Sequence, residues 1–547
     1  MRTFLLCTSI WAAAAAPLFA QSPSATGPAS GETLRLTVDD AVKMALEHNV
    51  DLATARLDPQ IGDALVAAAT GAFRPVVGTS IQRDSQSEPP SSFLIPVPTR
   101  NSVVAWDFGV AQRLPWFGTT FSAVWDNTHT NSNSVLNSFN PIVQSRIALN
   151  VSQPLVRDLS IDAARLQVGL SRIDRSVAGT RLRENLVRTV ANVKRAYWLL
   201  ATAKANVDAR TSALDLAQEL VRVNQRKVDV GQSPPLDLVS AKAEVAANQE
   251  QLIIAETAVR QVEDQLRSLI FDTSDRAVWN VAIDPVDSPP LQAVAADLEA
   301  AVTNALRDRT DLALARSERD SASLAVKYTD NQRLPDIRLN AGYLAGGLGG
   351  TQVLRTDGFP GAVIGPGSVT GFGSVVSQVF SGRYPTWSVG VSANYPIGQS
   401  SAQADFVRAR LEKTQSEGRL KSAESRAVQE VRDARRLIDM NAKRIETARA
   451  ARELAEQRMD AERRRFQAGM STSFLVIQAQ RDLAQARTNE LGAVLSYDLA
   501  VVDFEAVQQV AASGGQQPLQ PLSGGSTTVP GAVGTRPITL IGGNPGG

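Results

Sequence analysis

Few residues of this chain are of types that could perform catalysis or bind a metal ion. The sequence contains two histidines, His48 and His129, and a single cysteine, Cys7. Neither histidine belongs to a motif for a nucleophile or a metal site. The glycine-rich segment 345–350 (AGGLGG) lacks the Lys-Ser/Thr ending of a phosphate-binding loop. The sequence therefore predicts a protein that is not an enzyme and that binds no metal and no cofactor.

Two similar turns hold the side chains that remain candidates for a functional site. They read VGQSPPLDL at 230–238 and AGMSTSFLV at 468–476. Gly231 and Gly469 suit the left-handed position at the end of a helix. Ser233 and the run from Ser471 to Ser473 suit the start of the next helix. Each turn is expected to join two helices.

Two proline-free segments are expected to supply those helices. No proline occurs between Pro154 and Pro234 or between Pro396 and Pro518. Both segments are rich in good helix formers and space their apolar residues three and four apart. Residues 161–229 and 401–468 are predicted to be helices of about 100 Å each, at 1.5 Å per residue. Helices of this length must pack as bundles or coiled coils.

Short segments between the helices alternate apolar with small or polar residues. Four such stretches precede the first long helix, at 76–83, 103–113, 117–126 and 145–153, and the sequence LPWFG between the middle two suits a hairpin turn. Two more lie in DIRLNAGY and WSVGVSANY. Alternation with an aromatic face is typical of strands between lipid and water, or of one half of a soluble sandwich. A sandwich is hard to assemble from a few strands separated by long helical segments. The aromatic residues expected to face lipid are Trp106, Phe108, Phe121, Trp125, Tyr343, Trp387 and Tyr395. The glycine-rich residues 345–384 suit a surface loop.

The same order of elements is written twice. LTVDDAVKMALEHNVDLATAR at 36–56 returns as ADLEAAVTNALRDRTDLALAR at 296–316, so that Ala41 matches Ala301 and Arg56 matches Arg316 at a constant offset of 260 residues. The turn glycines match at an offset of 238. We assign repeat one to 34–284 and repeat two to 291–511, followed by a disordered tail at 512–547.

The beginning of the chain and its charge indicate export from the cell. Residues 1–20 have the basic start, the apolar run and the small final residue of a cleaved signal peptide. Cys7 lies inside this leader, so we expect neither a thiol in the mature chain nor a lipid anchor. Lys and Arg number 56 and Asp and Glu 55, a balance that argues against nucleic acid as a partner. After the leader no apolar run is long enough for a membrane-spanning helix, which leaves a soluble exported protein or a β-barrel.

This ordered set, in duplicate, resembles the outer-membrane factor family, the TolC-like efflux proteins. The resemblance covers about residues 34–510 and includes the matched helices, FRPVV with RLPDIRLNAGY, VSQPLV with ANYPIG, and the two turns. It implies an α+β membrane protein that forms a homotrimer. Each protomer would give about four strands to one shared transmembrane β-barrel, or more if repeat one adds a hairpin. The antiparallel helical hairpins would form a hollow α-barrel in the periplasm, and Leu36–Leu57 and Asp297–Ala315 would be equatorial helices.

The resemblance also implies roles for the turns. They would form the periplasmic tip that contacts an adaptor protein, which in turn joins an inner-membrane transporter. The tip residues are Gly231, Ser233, Leu236, Asp237, Gly469, Ser471 and Phe474. The family's constricting acidic residues fall at Leu475 and Gln478, six and nine positions after Gly469, while Asp237 lies six after Gly231. An apolar constriction by Leu475 is one alternative to an acidic ring, and Asp237 could instead favour the start of its helix through the helix dipole.

The function that follows is a passive outer-membrane duct of a tripartite efflux or type I secretion system. Its cargo would be drugs, toxic solutes, metals or a polypeptide. The main alternative is a periplasmic coiled-coil adaptor or scaffold without a pore, since such proteins also carry helical hairpins. That class has no need of duplicated strands with an aromatic face.

Overall fold

A computed structural model of the chain describes residues 33–90, 98–134, 136–272, 274–287, 297–357, 361–398 and 400–512. The predicted signal peptide, residues 291–296 of repeat two, and the predicted tail beyond residue 512 lie outside these ranges. Within the described ranges, the fold joins long helices to one large curled sheet.

The helices come in two matching sets. They are α1 (Val38–His48), α2 (Val50–Ala55), α3 (Leu57–Thr70), α4 (Ala163–Asp229) and α5 (Pro235–Ile270), then α6 (Leu298–Asp308), α7 (Thr310–Gln332), α8 (Phe372–Phe380), α9 (Ser401–Gln467) and α10 (Ser473–Val507). The long helices α4 and α9 have 67 residues each. The sequence prediction of both helices is confirmed to within two residues at each end. None of the helices in the described ranges combines the length and apolar character needed to cross a membrane.

Local signals explain where the long helices begin and end. The Asp162 carboxylate accepts a hydrogen bond from the Arg165 amide at 2.8 Å and so caps the start of α4. Gly231 and Gly469 follow the two helices with φ of +74° and +77°, the left-handed conformation that favours glycine. The expected serine cap of α5 is wrong, because Pro234 occupies that position and no side chain caps the helix.

The strands form a small pair and a large sheet. They are β1 (Thr33–Leu36), β2 (Val76–Glu88), β3 (Thr99–Arg113), β4 (Thr120–Ser132), β5 (Phe139–Pro154), β6 (Ala282–Pro285), β7 (Asp336–Arg355), β8 (Val363–Thr370) and β9 (Pro385–Asn394). β1 pairs in parallel with β6, which ties the start of repeat one to its end. The other strands pair antiparallel in the order β2-β3-β4-β5-β7, with β8 and β9 both on the far edge of β7.

The large sheet has more strands than the basic family pattern of about four, in agreement with the alternative of an extra hairpin in repeat one. In the described residues it contains seven strands, because all four alternating stretches of repeat one form strands. The hairpin predicted at LPWFG joins β3 to β4, and Gly118 in it has φ of +66°. At the opposite edge of the sheet, β9 pairs with residues 336–345 of β7, and β8 pairs with residues 350–355. β8 and β9 are thus two parts of one strand, interrupted by α8.

The prediction of a surface loop at 345–384 is wrong for the residues that the structure describes there. Residues 345–355 continue β7, and β8 and α8 follow. The glycines of β7 allow α8 to approach the sheet, since a Cβ on Gly347 would lie 2.3 Å from the carbonyl oxygen of Val375. Val375 and Val379 are buried in this contact. Glycine here serves close packing of a helix on a strand, a use that composition does not distinguish from a loop.

The helical part has a core at the level of the short strand pair. It is centred on Val193, Tyr197 and Leu200 of α4, with Ile270 of α5 and Ile283 of β6. The Tyr197 hydroxyl donates a hydrogen bond to the Leu36 carbonyl at 3.0 Å. Further clusters lie along the α9–α10 seam and near the turns. Packing therefore fixes the hairpins along their length and sets the positions of the turns.

Candidate functional site: the helical turns and the two faces of the sheet

The register of the large sheet gathers the predicted aromatic residues on one face. Residues paired across antiparallel strands share a face, and Phe108 pairs with Trp125 while Tyr343 pairs with Trp387. By the same register Trp106 and Phe121 lie on that face, and Tyr395 directly follows β9. We call this side of the sheet the aromatic face.

Members of the aromatic face differ in their surroundings. The Trp387 side chain is 74% exposed, and Tyr395 and Phe108 are also exposed. Trp106 is partly covered by α8, with its ring 5.7 Å from that of Phe372. Trp125 donates its indole N–H to the Ser145 hydroxyl at 2.8 Å. Contact with lipid stays a prediction for all seven aromatic residues. Helix α8 lies over Trp106 and forms a second layer there.

The opposite side of the sheet is polar and concave. Arg146 bridges to Asp126 across β4 and β5 at 2.8 Å, and the Ser80 hydroxyl donates to the Asp107 carboxylate. A cavity of about 550 Å³ opens on this side. Its polar lining residues include Arg74, Arg113, Asn150, Ser152, Asn340 and Ser388. A concave surface of this composition is suited to contact with water.

The two helical turns lie side by side at one end of the hairpins. Asn224 of α4 is fully buried and donates from its amide to the Ser473 hydroxyl at 2.7 Å and to the Asp237 carbonyl at 3.3 Å. Lys227 donates to the Phe466 carbonyl at 2.9 Å and lies 3.5 Å from the centre of that ring. These contacts join the turn of repeat one to the turn of repeat two.

Sequence reasoning missed this contact between the turns. One signal was available, because asparagine is a poor helix former and Asn224 lies in the last turns of a long helix. Lysine and arginine in a last turn are ordinary partners of the helix dipole, so Lys227 gave no signal of its own.

The first turn presents an apolar side chain to solvent. Leu236 is 71% exposed at the start of α5, and Gly231 is exposed. Ser233 and Asp237 are half-buried. Asp237 stands in the first turn of α5, where a carboxylate is favoured by the helix dipole.

The second turn is also apolar at its surface. Phe474 is 69% exposed, and Leu475 is exposed beside it. The Ser471 hydroxyl donates to the Glu462 carboxylate. Gln478 is half-buried and donates its amide to Asp482 at 2.9 Å, so its amide group is directed along α10.

An ion pair between a buried carboxylate and an exposed guanidinium stands behind the turns. Glu244 of α5 is buried and accepts from Arg481 of α10 at 2.6 Å. This hydrogen bond raises the pKa of the Arg481 guanidinium above its ordinary value. The pair links the second helices of both repeats, so the two turns are held from behind as well as at their tips.

The two histidines considered for catalysis lie apart in the described part of the chain. Across the described ranges, no cluster of three or more His, Cys, Asp or Glu residues could hold a metal ion. His48 ends α1 and His129 lies in β4, on separate parts of the molecule. The geometry instead provides an aromatic face, a polar concave face and a pair of apolar turns.

Several solved structures share this fold. CusC, described as forming a transmembrane channel, matches with a TM-score of 0.62 and 16% identity over 89% of this chain and 95% of CusC. The CmeC outer membrane channel of Campylobacter jejuni matches with a TM-score of 0.59 and 15% identity over 86% of this chain and 85% of its own. The outer membrane protein VceC of Vibrio cholerae matches with a TM-score of 0.59 and 14% identity over 86% and 96% of the two chains.

At these identities the structural likeness establishes the fold. No curated protein sequence matches the chain. The family model described as outer membrane efflux protein matches residues 41–270 and 288–507, one segment in each repeat. The chain therefore belongs to the outer membrane efflux protein family.

Proposed function

We propose that this protein is the passive outer-membrane duct of a tripartite export machine and that it works as a homotrimer. The observation that carries the proposal is the open sheet with one aromatic and one polar face. Its terminal strands β2 and β9 are exposed at every residue. A sheet edge in lipid leaves backbone groups unpaired, at a cost of several kcal/mol per group.

Closure by copies of the chain removes those free edges. In a ring of protomers, β2 of one copy would pair with β8 and β9 of the next, and the sheet would become a barrel. The aromatic face would then meet lipid and the polar concave face would line a water-filled path. Pairs such as Arg146–Asp126, which bridge at 2.8 Å, would be kept on the wet side.

The helical hairpins would extend this path through the periplasm. Helices of 67 residues reach about 100 Å at 1.5 Å per residue. The exposed apolar residues Leu236 and Phe474 would contact the periplasmic adaptor, and Leu475 would narrow the duct at its inner end, with Gln478 and Asp237 nearby. Energy and selectivity would come from an inner-membrane transporter, so the duct itself needs no catalytic group.

The same proposal covers several classes of export machine and several kinds of cargo. Efflux of drugs, toxic solutes or metals and secretion of a polypeptide are all compatible with an unselective polar path. CusC and CmeC are channels by their descriptions, and VceC is an outer membrane protein. We extend the channel role to this chain. The protein would be exported by a cleaved signal peptide and would reach the outer membrane without a lipid anchor.

Conductance in planar bilayers tests the proposal. The purified protein, extracted in detergent and verified as a trimer, should give discrete single-channel currents. A correctly folded trimer that carries no current would overturn the duct. Release of the mature chain from membranes by buffer alone would instead favour the periplasmic scaffold, because a lipid-embedded sheet needs detergent for extraction.

A further inference from the structure

The internal duplication lets an interface between chains be inferred from one that exists within the chain. α4 and α9 have equal lengths, so each residue of α4 matches the residue 238 positions later without a gap. The short helices match at an offset of 260. Arg56 donates to the Leu46 carbonyl at 2.7 Å, and the matching Arg316 donates to the Leu306 carbonyl at 2.7 Å.

In the first repeat, α4 is covered on two sides. α3 contacts it through the Arg175–Asp63 ion pair at 2.8 Å. α7, from the second repeat, packs on its other side, where a Cβ on Gly169 would lie 2.5 Å from a methyl carbon of Leu324. Nearby, Arg183 donates to the Asp308 carbonyl at 3.2 Å, at the end of α6.

In the second repeat, the residues that the structure describes cover only one of the two corresponding sides. α7 contacts α9 through the Arg419–Glu318 pair at 2.7 Å. The side of α9 that matches the α7-facing side of α4 is open, with Val407 47% and Leu411 65% exposed. An open groove of about 730 Å³ runs along it. We call this side the α9 groove.

A complementary apolar stripe is exposed on α3. Leu57, Ile61 and Leu65 lie four residues apart on one side of the helix and are all exposed. The matching residues of α7 are Ser317, Ser321 and Ala325, which are half-buried. The stripe on α3 therefore corresponds to the side of α7 that packs on α4, but within the protomer no helix packs on it among the described residues. We call it the α3 stripe.

We propose that the α3 stripe of one protomer docks into the α9 groove of the next, in the register that α7 adopts on α4. This proposal rests on the homotrimer of the proposed function and specifies its helical interface. In the Gly169–Leu324 contact, the α9 residue that matches Gly169 is Val407, 238 positions later. The α3 residue that matches Leu324 is Ala64, 260 positions earlier. The proposed register therefore places Val407 of one copy against Ala64 of the other. It also brings Leu411 level with Ile61.

Residue sizes and charges fit this transfer. Inside the chain a large residue on α7 fills the space over a glycine on α4. Between chains the larger residue of the pair, Val407, lies on α9, and the smaller residue, Ala64, lies on α3. The transferred partner of Arg183 is Lys421, which is exposed and would reach the carbonyl of His48 at the end of α1, where a cation is favoured by the helix dipole.

The contact is directional, with a different surface on each side. An interface of this kind closes into a ring when its rotation allows, and otherwise grows into a filament. A trimer would use each α3 stripe and each α9 groove once. Continuity with the intramolecular α4–α7 contact fixes the occupant of the groove as a second copy of this chain.

Disulfide cross-linking tests the register. The only cysteine of the chain, Cys7, lies in the predicted leader, so an engineered pair has no competing thiol in the mature protein. The double variant Ala64→Cys/Val407→Cys should convert most of the protomer band, under oxidising conditions, into a band of three linked chains. The matched control Leu57→Cys/Val407→Cys displaces the thiols by about 10 Å along the helix at 1.5 Å per residue and should lose that band.

The outcomes separate this inference from the proposed function. A conducting trimer without the in-register cross-link, or with equal cross-linking of the control, overturns the interface and leaves the duct intact. Absence of any trimer overturns both. A second measurement uses charge: Ile61→Glu should reduce the trimer fraction and Leu411→Lys should restore it, whereas Leu437→Lys should not. These positions are exposed in the protomer, so its fold should tolerate the changes.

Discussion

The two repeats build the same helical hairpin but place it among different neighbours. α4 and α9 have 67 residues each and end at glycines with nearly the same φ. Yet Tyr197 and Trp198 of α4 are buried, while Arg435 and Arg436 occupy the matching positions of α9. Local signals determine where each helix begins and ends, and the neighbours determine which residue types its sides carry.

The strands vary more than the helices between the repeats. Repeat one supplies four strands, whereas repeat two supplies β7 and a strand interrupted by α8. The helices have less freedom because both turns must end at one level to allow the Asn224–Ser473 hydrogen bond of 2.7 Å. A strand needs only to keep its alternation and its pairing, so hairpins and insertions can be added at the sheet.

The largest expected difference between the repeats is at Tyr197 and its counterpart Arg435. Tyr197 is fully buried and its hydroxyl accepts from the Asp287 amide at 3.1 Å. We expect Tyr197→Ala to lower the free energy of unfolding by about 3–5 kcal/mol, the range for large aromatic truncations. Arg435→Ala removes a partly exposed ion pair with Asp439 and should cost about 1 kcal/mol or less. Urea titration in detergent measures both, and equal costs would contradict the distinction.

A second difference is in pH dependence, at Asp498 of α10. Its carboxylate is 3% exposed, and burial raises its pKa from 3.8 to about 7. The folded state therefore binds the proton more tightly than the unfolded state, and stability should fall as the pH rises from about 4 to about 7. Above that range the buried charge is a standing cost, of up to about 4 kcal/mol at 1.36 kcal/mol per pKa unit.

Replacing Asp498 should remove that cost. Asp498→Asn is expected to flatten the stability profile between pH 4 and 7 and to raise the free energy of unfolding at pH 8 by about 2–4 kcal/mol. The matching position of α5 holds Arg260, which is exposed, so Arg260→Gln should leave the slope unchanged. Unfolding midpoints measured across the pH range decide this, and an unchanged slope in the asparagine variant would exclude Asp498 as its source.

A smaller effect is expected where the strands of the two repeats differ, at the contact of α8 with β7. Gly347→Ala would place a Cβ 2.3 Å from the Val375 carbonyl oxygen and should destabilise the protein by about 1–3 kcal/mol, as overpacking does. The adjacent Gly346→Ala meets only an ordinary contact of 3.8 Å with Arg146 and serves as the control. Thermal unfolding should separate the two variants. An unchanged unfolding temperature in Gly347→Ala would mean that α8 is not held against the sheet.

The sequence predicted the helices better than the sheet because helical signals are local. Proline-free length and the turn glycines gave the ends of α4 and α9 to within two residues. Alternation gave the strand faces, since Phe108 and Trp125 do share a face. The function of Gly347 could not be read, because a glycine in a loop and a glycine under a helix look alike in sequence.

Prediction of the candidate site was partial for a similar reason. The turns follow from glycine and proline, and Leu236 and Phe474 are exposed there; their contact with an adaptor stays a prediction. The contact that joins the turns depends on Asn224 and Ser473, which are 249 residues apart in the chain. A single sequence holds no local signal for such a pair. The direction of Gln478 towards Asp482 likewise depends on the finished helix.

The smallest effect tests whether the two turns are equivalent as local structures. Gly231 and Gly469 have φ of +74° and +77°, and a Cβ on either would meet no atom within 4 Å. Alanine at each should therefore cost only the backbone strain of the left-handed conformation, about 1–2 kcal/mol. Gly418→Ala in the middle of α9 also enters open space and should stabilise the protein by about 1 kcal/mol, because alanine favours helix. Thermal unfolding of the three variants gives the comparison. Equal costs at 231 and 469 would mean that the repeats differ through their neighbours alone, whereas unequal costs would locate a further difference within the turns themselves.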